Sequence, residues 1–151
     1  MCFPVTVKGE DCPSGWDPYG DKCYKVYPKT FTVRGKNWED ARAVCLSYGG
    51  DLVSISNQSE QTFLSQKTKQ YKGQLFWIGF NDRRNESNFE WSDGSDVTFK
   101  NWGWREPNDR FKSEDCTEMY YSFRSRWNDD SCAKEYGYIC KRQKGLSFSF
   151  I

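Results

Sequence analysis

Side chains that carry oxygen crowd into one stretch of the chain and a short one that follows it. The first is Glu106-Pro107-Asn108-Asp109-Arg110-Phe111-Lys112-Ser113-Glu114-Asp115-Cys116, and the second is Trp127-Asn128-Asp129. Calcium is a hard cation that takes about six to eight oxygen ligands from carboxylates, amide carbonyls, backbone and water. Zinc prefers imidazole and thiolate, and the chain contains no His. The sequence therefore predicts a calcium site in this region.

Two helices are predicted before these stretches. In residues 38–45 the apolar positions fall at i, i+3 and i+7, which is one face of a helix, and Gly49-Gly50 supplies a stop. A second helix is expected to begin near Asn57, because that residue and Glu60 form a pair resembling a capping box. It is expected to close at Lys72-Gly73.

The rest of the chain reads as short strands and one long irregular region. Cys12 and Cys23 bracket turn residues that suit a stapled hairpin. Residues 81–115 lack periodicity and exceed the usual length of a structureless loop, so they need a disulfide or an ion. The tail, residues 145–151, is an edge strand or an appended segment. Apolar or aromatic runs predict the strands, namely Cys23-Tyr24-Lys25-Val26-Tyr27, Phe76-Trp77-Ile78-Gly79-Phe80, Phe89-Glu90-Trp91, Met119-Tyr120-Tyr121 and Tyr138-Ile139-Cys140.

Size and charge exclude several classes of function. The chain has 151 residues, which suits one domain. Its 22 Lys and Arg nearly balance 21 Asp and Glu. With no basic run, the chain lacks the positive electrostatic potential that attracts nucleic acid. A mean hydropathy of −0.91 and the lack of a long apolar run predict no membrane span.

Cysteine usage points to an oxidising compartment. Seven cysteines in so small a chain are unusual where thiols are kept reduced, so an extracellular location is expected, either secreted or on the ectodomain of a cell-surface receptor. The sequons Asn57-Gln58-Ser59 and Asn85-Glu86-Ser87 are candidate glycosylation sites that agree with it.

These features together resemble the C-type lectin domain family. The resemblance covers Cys12 to about Arg142 and implies an α+β, C-type lectin-like fold with two helices, small antiparallel sheets, a long calcium-binding loop region and disulfide bridges. Residues 12–142 would form the carbohydrate-recognition domain, with 1–11 as an N-terminal extension and 143–151 as a C-terminal tail. The motifs that carry it are the Trp-x-x-Ala helix with Cys45, Trp77-Ile78-Gly79, Glu106-Pro107-Asn108, Trp127-Asn128-Asp129, Cys116, Cys132 and Cys140.

The resemblance also selects a disulfide pairing that counting cysteines leaves open. It implies the bridges Cys12–Cys23, Cys45–Cys140 and Cys116–Cys132. Cys2 is then left over. It is a free thiol, or it pairs with a neighbouring domain or with another chain to give a disulfide-linked oligomer.

Two calcium sites follow from the same resemblance. The Glu106–Pro107 bond is expected to be cis, as in the family. Because the carboxylates of the two sets would repel one another without a cation, ion binding is expected to order the loop. The principal calcium would be held by Glu106, Asn108, Glu114, Asn128 and Asp129. A second, structural calcium would be held by Asp82, Glu86, Asp109 and Asp115.

The family binds sugars at the principal calcium through a pair of vicinal hydroxyls. The order Glu-Pro-Asn resembles the variant that takes equatorial 3- and 4-hydroxyls, as in mannose, N-acetylglucosamine, glucose and, through equivalent hydroxyls, fucose. Three residues flank the loop and are candidates for contact with further sugar units, namely Trp104, Arg110 and Phe111. In the alternative, Trp102 and Trp104 brace the loop and Arg110 is solvated. The expected carbohydrate-binding residues are Glu106, Asn108, Glu114, Asn128 and Arg110.

Two other classes of function compete with a lectin. An enzyme is disfavoured because the absence of His removes the usual general base and the triad and zinc-protease motifs. A glycosidase with paired carboxylates would need the side chains that calcium would occupy. The alternative within the fold is a domain whose main ligand is a protein partner, with calcium structural, or an ice-binding member in which the sugar loop is silent or reused.

Overall fold

The computed structural model describes residues 6–120 and 124–149, and the side chains of residues 11–120 and 124–145. Cys2 lies outside the described residues, as does Tyr121 at the end of a predicted strand. The elements, in chain order, are β1 (Thr6–Asp11), β2 (Asp17–Tyr19), β3 (Lys22–Tyr27), α1 (Trp38–Ser47), β4 (Asp51–Leu52), α2 (Gln58–Thr68), β5 (Leu75–Asn81), β6 (Glu90–Trp91), a 3-10 turn (Arg110–Lys112), β7 (Cys116–Tyr120), β8 (Arg126–Asp130), β9 (Gly137–Gln143) and β10 (Gly145–Ser149).

The strands form two sheets, and the α+β prediction is confirmed. The larger sheet has the order β2-β3-β9-β5-β7-β8, with β4 added to β9 and β6 added to β5. Its pairings are antiparallel except for β5 and β9, which run parallel. The smaller sheet pairs β1 with β10, Thr6 lying opposite Ser149. The tail residues of β10 are therefore part of a strand.

Both helices begin where the sequence predicts, and each start carries a capping asparagine. The Asn37 side chain accepts a hydrogen bond from the Asp40 N–H at 2.8 Å, and α1 buries Trp38, Ala41 and Cys45. The Asn57 side chain accepts from the Glu60 N–H at 2.9 Å at the start of α2. This helix ends at Thr68, earlier than the predicted stop at Lys72-Gly73.

A buried aromatic cluster holds β8 against the sheet. Trp127 is fully buried, and its ring centroid lies 5.5 Å from those of Phe80 and Trp91. Its indole N–H donates to Gln61 Oε1 of α2 at 2.9 Å. Because Trp127 is fixed in the core, the residues that follow it in β8 have a defined position at the edge of the sheet.

Three disulfides join the elements, and each predicted bridge is confirmed. Cys12–Cys23 closes the N-terminal hairpin. Cys45–Cys140, spanning 95 residues, fastens α1 to β9. Cys116–Cys132 ties the start of β7 to the turn after β8. Among the described residues, no helix is long and apolar enough to cross a membrane.

Candidate metal and ligand site

Strand pairing brings the two acidic stretches together. In the β7–β8 ladder Thr117 lies opposite Asp129 and Glu118 lies opposite Asn128. Where β5 ends, the Asp82 N–H donates to the carbonyl of Asp115 at 3.1 Å. Residues distant in sequence therefore meet at one end of the large sheet, and the long loop between β6 and β7 is bonded to them through Asp129 of β8.

Three of the four residues predicted for the second calcium lie close together. Carboxylate oxygens of Asp82, Glu86 and Asp115 are all within 4.8 Å of one another. Asp109, the fourth, is near enough that its carboxyl raises the pKa of Glu86. Its Oδ1 also accepts the Glu114 N–H at 3.2 Å. This last bond links the second set to the principal one.

Four of the five residues predicted for the principal calcium form a connected network. Asn108 Nδ2 donates to Glu106 Oε1 at 3.0 Å, and the Glu106–Pro107 bond is cis. The fully buried Asp129 accepts the N–H groups of Asn108 and Asp109 at 3.0 and 2.7 Å. In the same loop, the Arg110 N–H donates to Glu114 Oε1 at 2.6 Å and to Asn108 Oδ1 at 3.2 Å.

The fifth residue, Asn128, lies outside this network and pairs with a residue that the sequence analysis missed. Its Nδ2 donates to Glu118 Oε1 at 2.8 Å, and among the described residues its side chain forms no hydrogen bond with Glu106 or Asn108. Glu118 is 2% exposed. The sequence did carry a signal for Glu118, because it is a carboxylate between Thr117 and Met119 in the strand that follows the loop. An unpaired charge is rarely buried without a role.

The crowding of carboxyls shifts their titration. Burial raises the pKa of Glu106 to about 8, and the neighbouring carboxyl of Asp129 adds to this. Burial likewise raises the pKa of Glu118 to about 8. Loss of hydration and the charge of Asp82 raise the pKa of Glu86 to about 7. Such shifts mark sites where negative charge lacks compensation.

Several carboxylate oxygens in this region are buried and have no hydrogen-bond partner. They are Asp82 Oδ1, Glu106 Oε2, Asp115 Oδ1 and Glu118 Oε2. A buried polar atom without a partner costs about 1 to 3 kcal/mol, and more when it is charged. A cation with a preference for oxygen would relieve that cost, so the residues present fit calcium better than they fit a closed protein network.

Aromatic residues around the loop divide into two groups. Trp102 is half-buried and packs against Phe80 and Phe89, with ring centroids 5.7 and 4.9 Å apart, so it braces the loop. Trp104 and Phe111 are instead 81% and 91% exposed. The bracing role is therefore wrong for Trp104.

The chain matches the family model of the Lectin C-type domain over residues 34–142. It is 38% identical over 138 residues to human C-type mannose receptor 2, a match that covers 91% of the chain and 9% of that protein. The chain thus spans about a tenth of the length of this relative.

Solved structures share the fold. The cow C-type carbohydrate-recognition domain of CD23, determined in the presence of a GlcNAc2Man3 oligosaccharide, superposes with a TM-score of 0.80 at 33% identity, covering 91% of this chain and 99% of that one. A calcium-independent type II antifreeze protein superposes with a TM-score of 0.79 at 27% identity, covering 91% and 98%. The shared fold alone therefore leaves both metal and ligand to be argued from side chains.

Proposed function

We propose that this chain, which belongs to the C-type lectin domain family, is a calcium-dependent lectin for glycans that present equatorial 3- and 4-hydroxyls. Mannose, fucose and N-acetylglucosamine are the expected sugars. The observation that carries the proposal is the set of buried carboxylate oxygens without partners, which includes Glu106 Oε2, Asp82 Oδ1 and Asp115 Oδ1.

The residues would divide between two ions. A bound calcium supplies open coordination positions that two vicinal hydroxyls can share. The second, structural site would be formed by Asp82, Glu86, Asp109 and Asp115. The principal site would be formed by Glu106, Asn108, Glu114, Asn128 and Asp129.

The chain's own side chains would hold the sugar hydroxyls by hydrogen bonds. Glu106 and Glu114 would accept hydrogen bonds from the hydroxyls, while the amides of Asn108 and Asn128 would donate to the hydroxyl oxygens. Each hydroxyl is thus both donor and acceptor, which selects a pair of fixed spacing. The network of Asp129 with the Asn108 and Asp109 N–H groups supports this geometry by holding the loop backbone.

The relatives agree with this proposal. The name of C-type mannose receptor 2 refers to mannose, and the CD23 domain was solved with a mannose-containing oligosaccharide. The three disulfides and the receptor relatives support an extracellular location. We propose binding without catalysis. A site built on one hydroxyl pair gives weak affinity, so useful strength would come from several copies acting together, and a bond through Cys2 would be one way to link them.

Retention on mannose resin tests the proposal. Oxidised protein should bind in millimolar calcium and elute with EDTA, and titration calorimetry should detect calcium binding. Glu106→Gln should abolish retention because it removes a ligand and a hydroxyl acceptor. Glu39→Gln, an exposed acidic residue of α1, serves as the charge-matched control and should bind normally. Absence of any calcium heat would refute the proposal.

The order of residues in the loop also predicts a change of sugar preference. Glu106→Gln together with Asn108→Asp reverses the acceptor and donor positions around the hydroxyl pair, and should move retention from mannose to galactose resin. Continued selectivity for mannose in this double variant would contradict our assignment of these two side chains.

A protein-binding domain with structural calcium is the second candidate. The antifreeze neighbour is a reason to keep a candidate other than sugar binding, because its named role, reached with the same fold, is not that of a lectin. The two candidates differ in one result. Measured calcium binding without retention on any neutral or acidic glycan would favour a protein partner.

A further inference from the structure

Two cation–π pairs flank the loop that carries the proposed calcium ligands. The Arg105 guanidinium lies 4.1 Å from the centroid of the Trp104 ring, and the Arg110 guanidinium lies 5.8 Å from that of Phe111. Both rings stand in solvent, at 81% and 91% exposure. The remaining face of each ring is therefore free to receive a ligand. We call these four residues the rim.

The backbone holds the rim beside the proposed sugar site. Phe111 has a φ of 59°, in the left-handed region that bulky side chains rarely adopt. The preceding Arg110 N–H is bonded to Glu114 Oε1 and Asn108 Oδ1, two of the proposed ligands. At the other end of the rim, the N–H of Gly103, the residue before Trp104, donates a hydrogen bond to the Trp127 carbonyl at 2.8 Å. Asp109 and Lys112 share this left-handed backbone, with φ of 42° and 53°, and residues held in such conformations cluster at ligand-binding loops.

The two rim guanidiniums are not neutralised within the described part of the chain. Arg42, by contrast, forms a salt bridge with Asp51 at 3.1 Å. No such bridge is formed by Arg105 or Arg110 with any described residue, although Glu106 and Glu114 belong to the same loop. A planar guanidinium pairs with sulfate or carboxylate through two parallel hydrogen bonds.

We propose that the rim makes this domain selective for acidic glycans. A sulfate or carboxylate on the sugar held at the calcium, or on the sugar attached to it, would accept hydrogen bonds from Arg105 or Arg110. The C–H faces of the sugar rings would lie against Trp104 and Phe111, as apolar surface lies on aromatic rings elsewhere. This inference rests on the proposed function, because the same hydroxyl pair anchors the glycan. An anionic membrane is a poorer fit, since Glu106 and Glu114 would face it as well.

Matched sugars separate the contribution of the anion from that of the hydroxyl pair. Methyl glucuronide and methyl glucoside share equatorial 3- and 4-hydroxyls and differ in a carboxylate, whereas 6-sulfo-N-acetylglucosamine and N-acetylglucosamine differ in a sulfate. We expect the acidic member to bind about fivefold tighter, the upper range for one exposed ion pair. The advantage should shrink as sodium chloride rises, because salt screens exposed charges. Comparison of the two pairs shows whether carboxylate or sulfate is preferred.

Variants assign that advantage to the rim. In Arg105→Gln and Arg110→Gln the ratio of acidic to neutral affinity should fall, and in the double variant it should reach one. Arg34→Gln removes the same charge from a guanidinium whose side chain is 89% exposed, outside the loop, and should leave the ratio unchanged. Trp104→Ala and Phe111→Ala should weaken both members of each pair about two- to tenfold. Phe31→Ala, at another fully exposed Phe, should weaken neither.

The outcomes separate this inference from the proposed function. If the neutral sugars bind with calcium but the acidic ones gain nothing, or if the gain survives the double Arg variant, the rim is not an anion site. Acidic glycan binding that persists in EDTA would place the anion elsewhere and overturn the inference, as would binding to phosphatidylserine vesicles lost in the same Arg variants. If no sugar binds in calcium, the proposed function itself fails.

Discussion

At the scale of single residues, the molecule carries a local excess of carboxyl oxygen. Asp82, Glu106 and Asp115 each keep a buried oxygen without a hydrogen-bond partner. Loss of hydration together with neighbouring carboxyls raises the pKa of Glu106 and of Glu86. Buried carboxyl oxygens without partners destabilise the fold, and such groups are found mainly where they bind a ligand or an ion. Glu118 extends this group into the strand, since it orients the amide of Asn128.

Glu118 is predicted to act as a positioning residue for calcium. Glu118→Ala leaves the Asn128 amide without its acceptor, and calcium affinity should fall about 10- to 100-fold, as for other outer partners of metal ligands. Glu118→Gln keeps an acceptor oxygen and should lose far less. Titration calorimetry of both variants measures the difference. Equal losses would mean that the charge of Glu118, and not its hydrogen bond, supports the site.

At the scale of elements, local sequence signals predicted the two helices better than they predicted the residues around the proposed metal site. The caps at Asn57 and the apolar face of α1 fixed both helix starts, because these signals act within a single turn. The strand β8 was not predicted as a strand, since Arg-Trp-Asn-Asp-Asp lacks an apolar alternation. The role of Glu118 depends on its register opposite Asn128, which no local pattern encodes.

The cap of α2 and the candidate glycosylation site use the same residue, Asn57. Asn57→Ala should remove the cap and destabilise the protein by about 1 kcal/mol. Ser59→Ala destroys the sequon but keeps the Asn57 side chain, so its stability should be close to that of the parent. If Asn57 carries a glycan in secreted material, both variants should lose the same mass. Urea unfolding and mass spectrometry together separate the two roles.

A buried ion pair joins α2 to β9. Lys141 Nζ lies 2.6 Å from Glu60 Oε1. Burial alone would raise the pKa of Glu60, but hydrogen bonds from Lys141, Tyr24 and Ser56 outweigh it and lower this pKa below its ordinary value of 4.5. A lowered folded-state pKa adds stability above the unfolded value, and that stability is lost as pH falls through the folded one.

Glu60→Gln should therefore destabilise the protein by about 3 kcal/mol at pH 7, because it leaves Lys141 without its counter-charge. The difference from the parent should shrink at pH values below 4.5, where Glu60 itself takes up a proton. Urea unfolding of both proteins from pH 7 to pH 3 measures this. A difference that stays constant across that range would show that the charge of Glu60 is not what matters.

At the scale of the whole molecule, the Cys45–Cys140 disulfide and the parallel pairing of β5 with β9 hold distant parts of the chain together. The disulfide was predicted only through the family resemblance, and the parallel pairing was not predicted, because both join residues far apart in the chain. The region from Asn81 to Asp115 lies within this loop and has little regular structure of its own.

Calcium should therefore stabilise the whole domain. At a calcium concentration 100-fold above the dissociation constant, one site adds about 2.7 kcal/mol, which for a domain of this size raises Tm by about 5 to 10 °C. Removing the ion with EDTA should also expose residues 81–115 to proteolysis before other segments. Calorimetric scans with calcium and with EDTA that give the same Tm would contradict this expectation.

The pairing of β1 with β10 determines how a mechanical load would enter the molecule. Thr6 lies opposite Ser149, so a pull on the two ends peels these strands apart one hydrogen bond at a time instead of shearing them. Beyond that sheet, tension passes through the Cys12–Cys23 and Cys45–Cys140 cross-links. Residues 81–115 lie between Cys45 and Cys140 and therefore carry no tension. The proposed glycan site should thus stay folded while β1 and β10 separate.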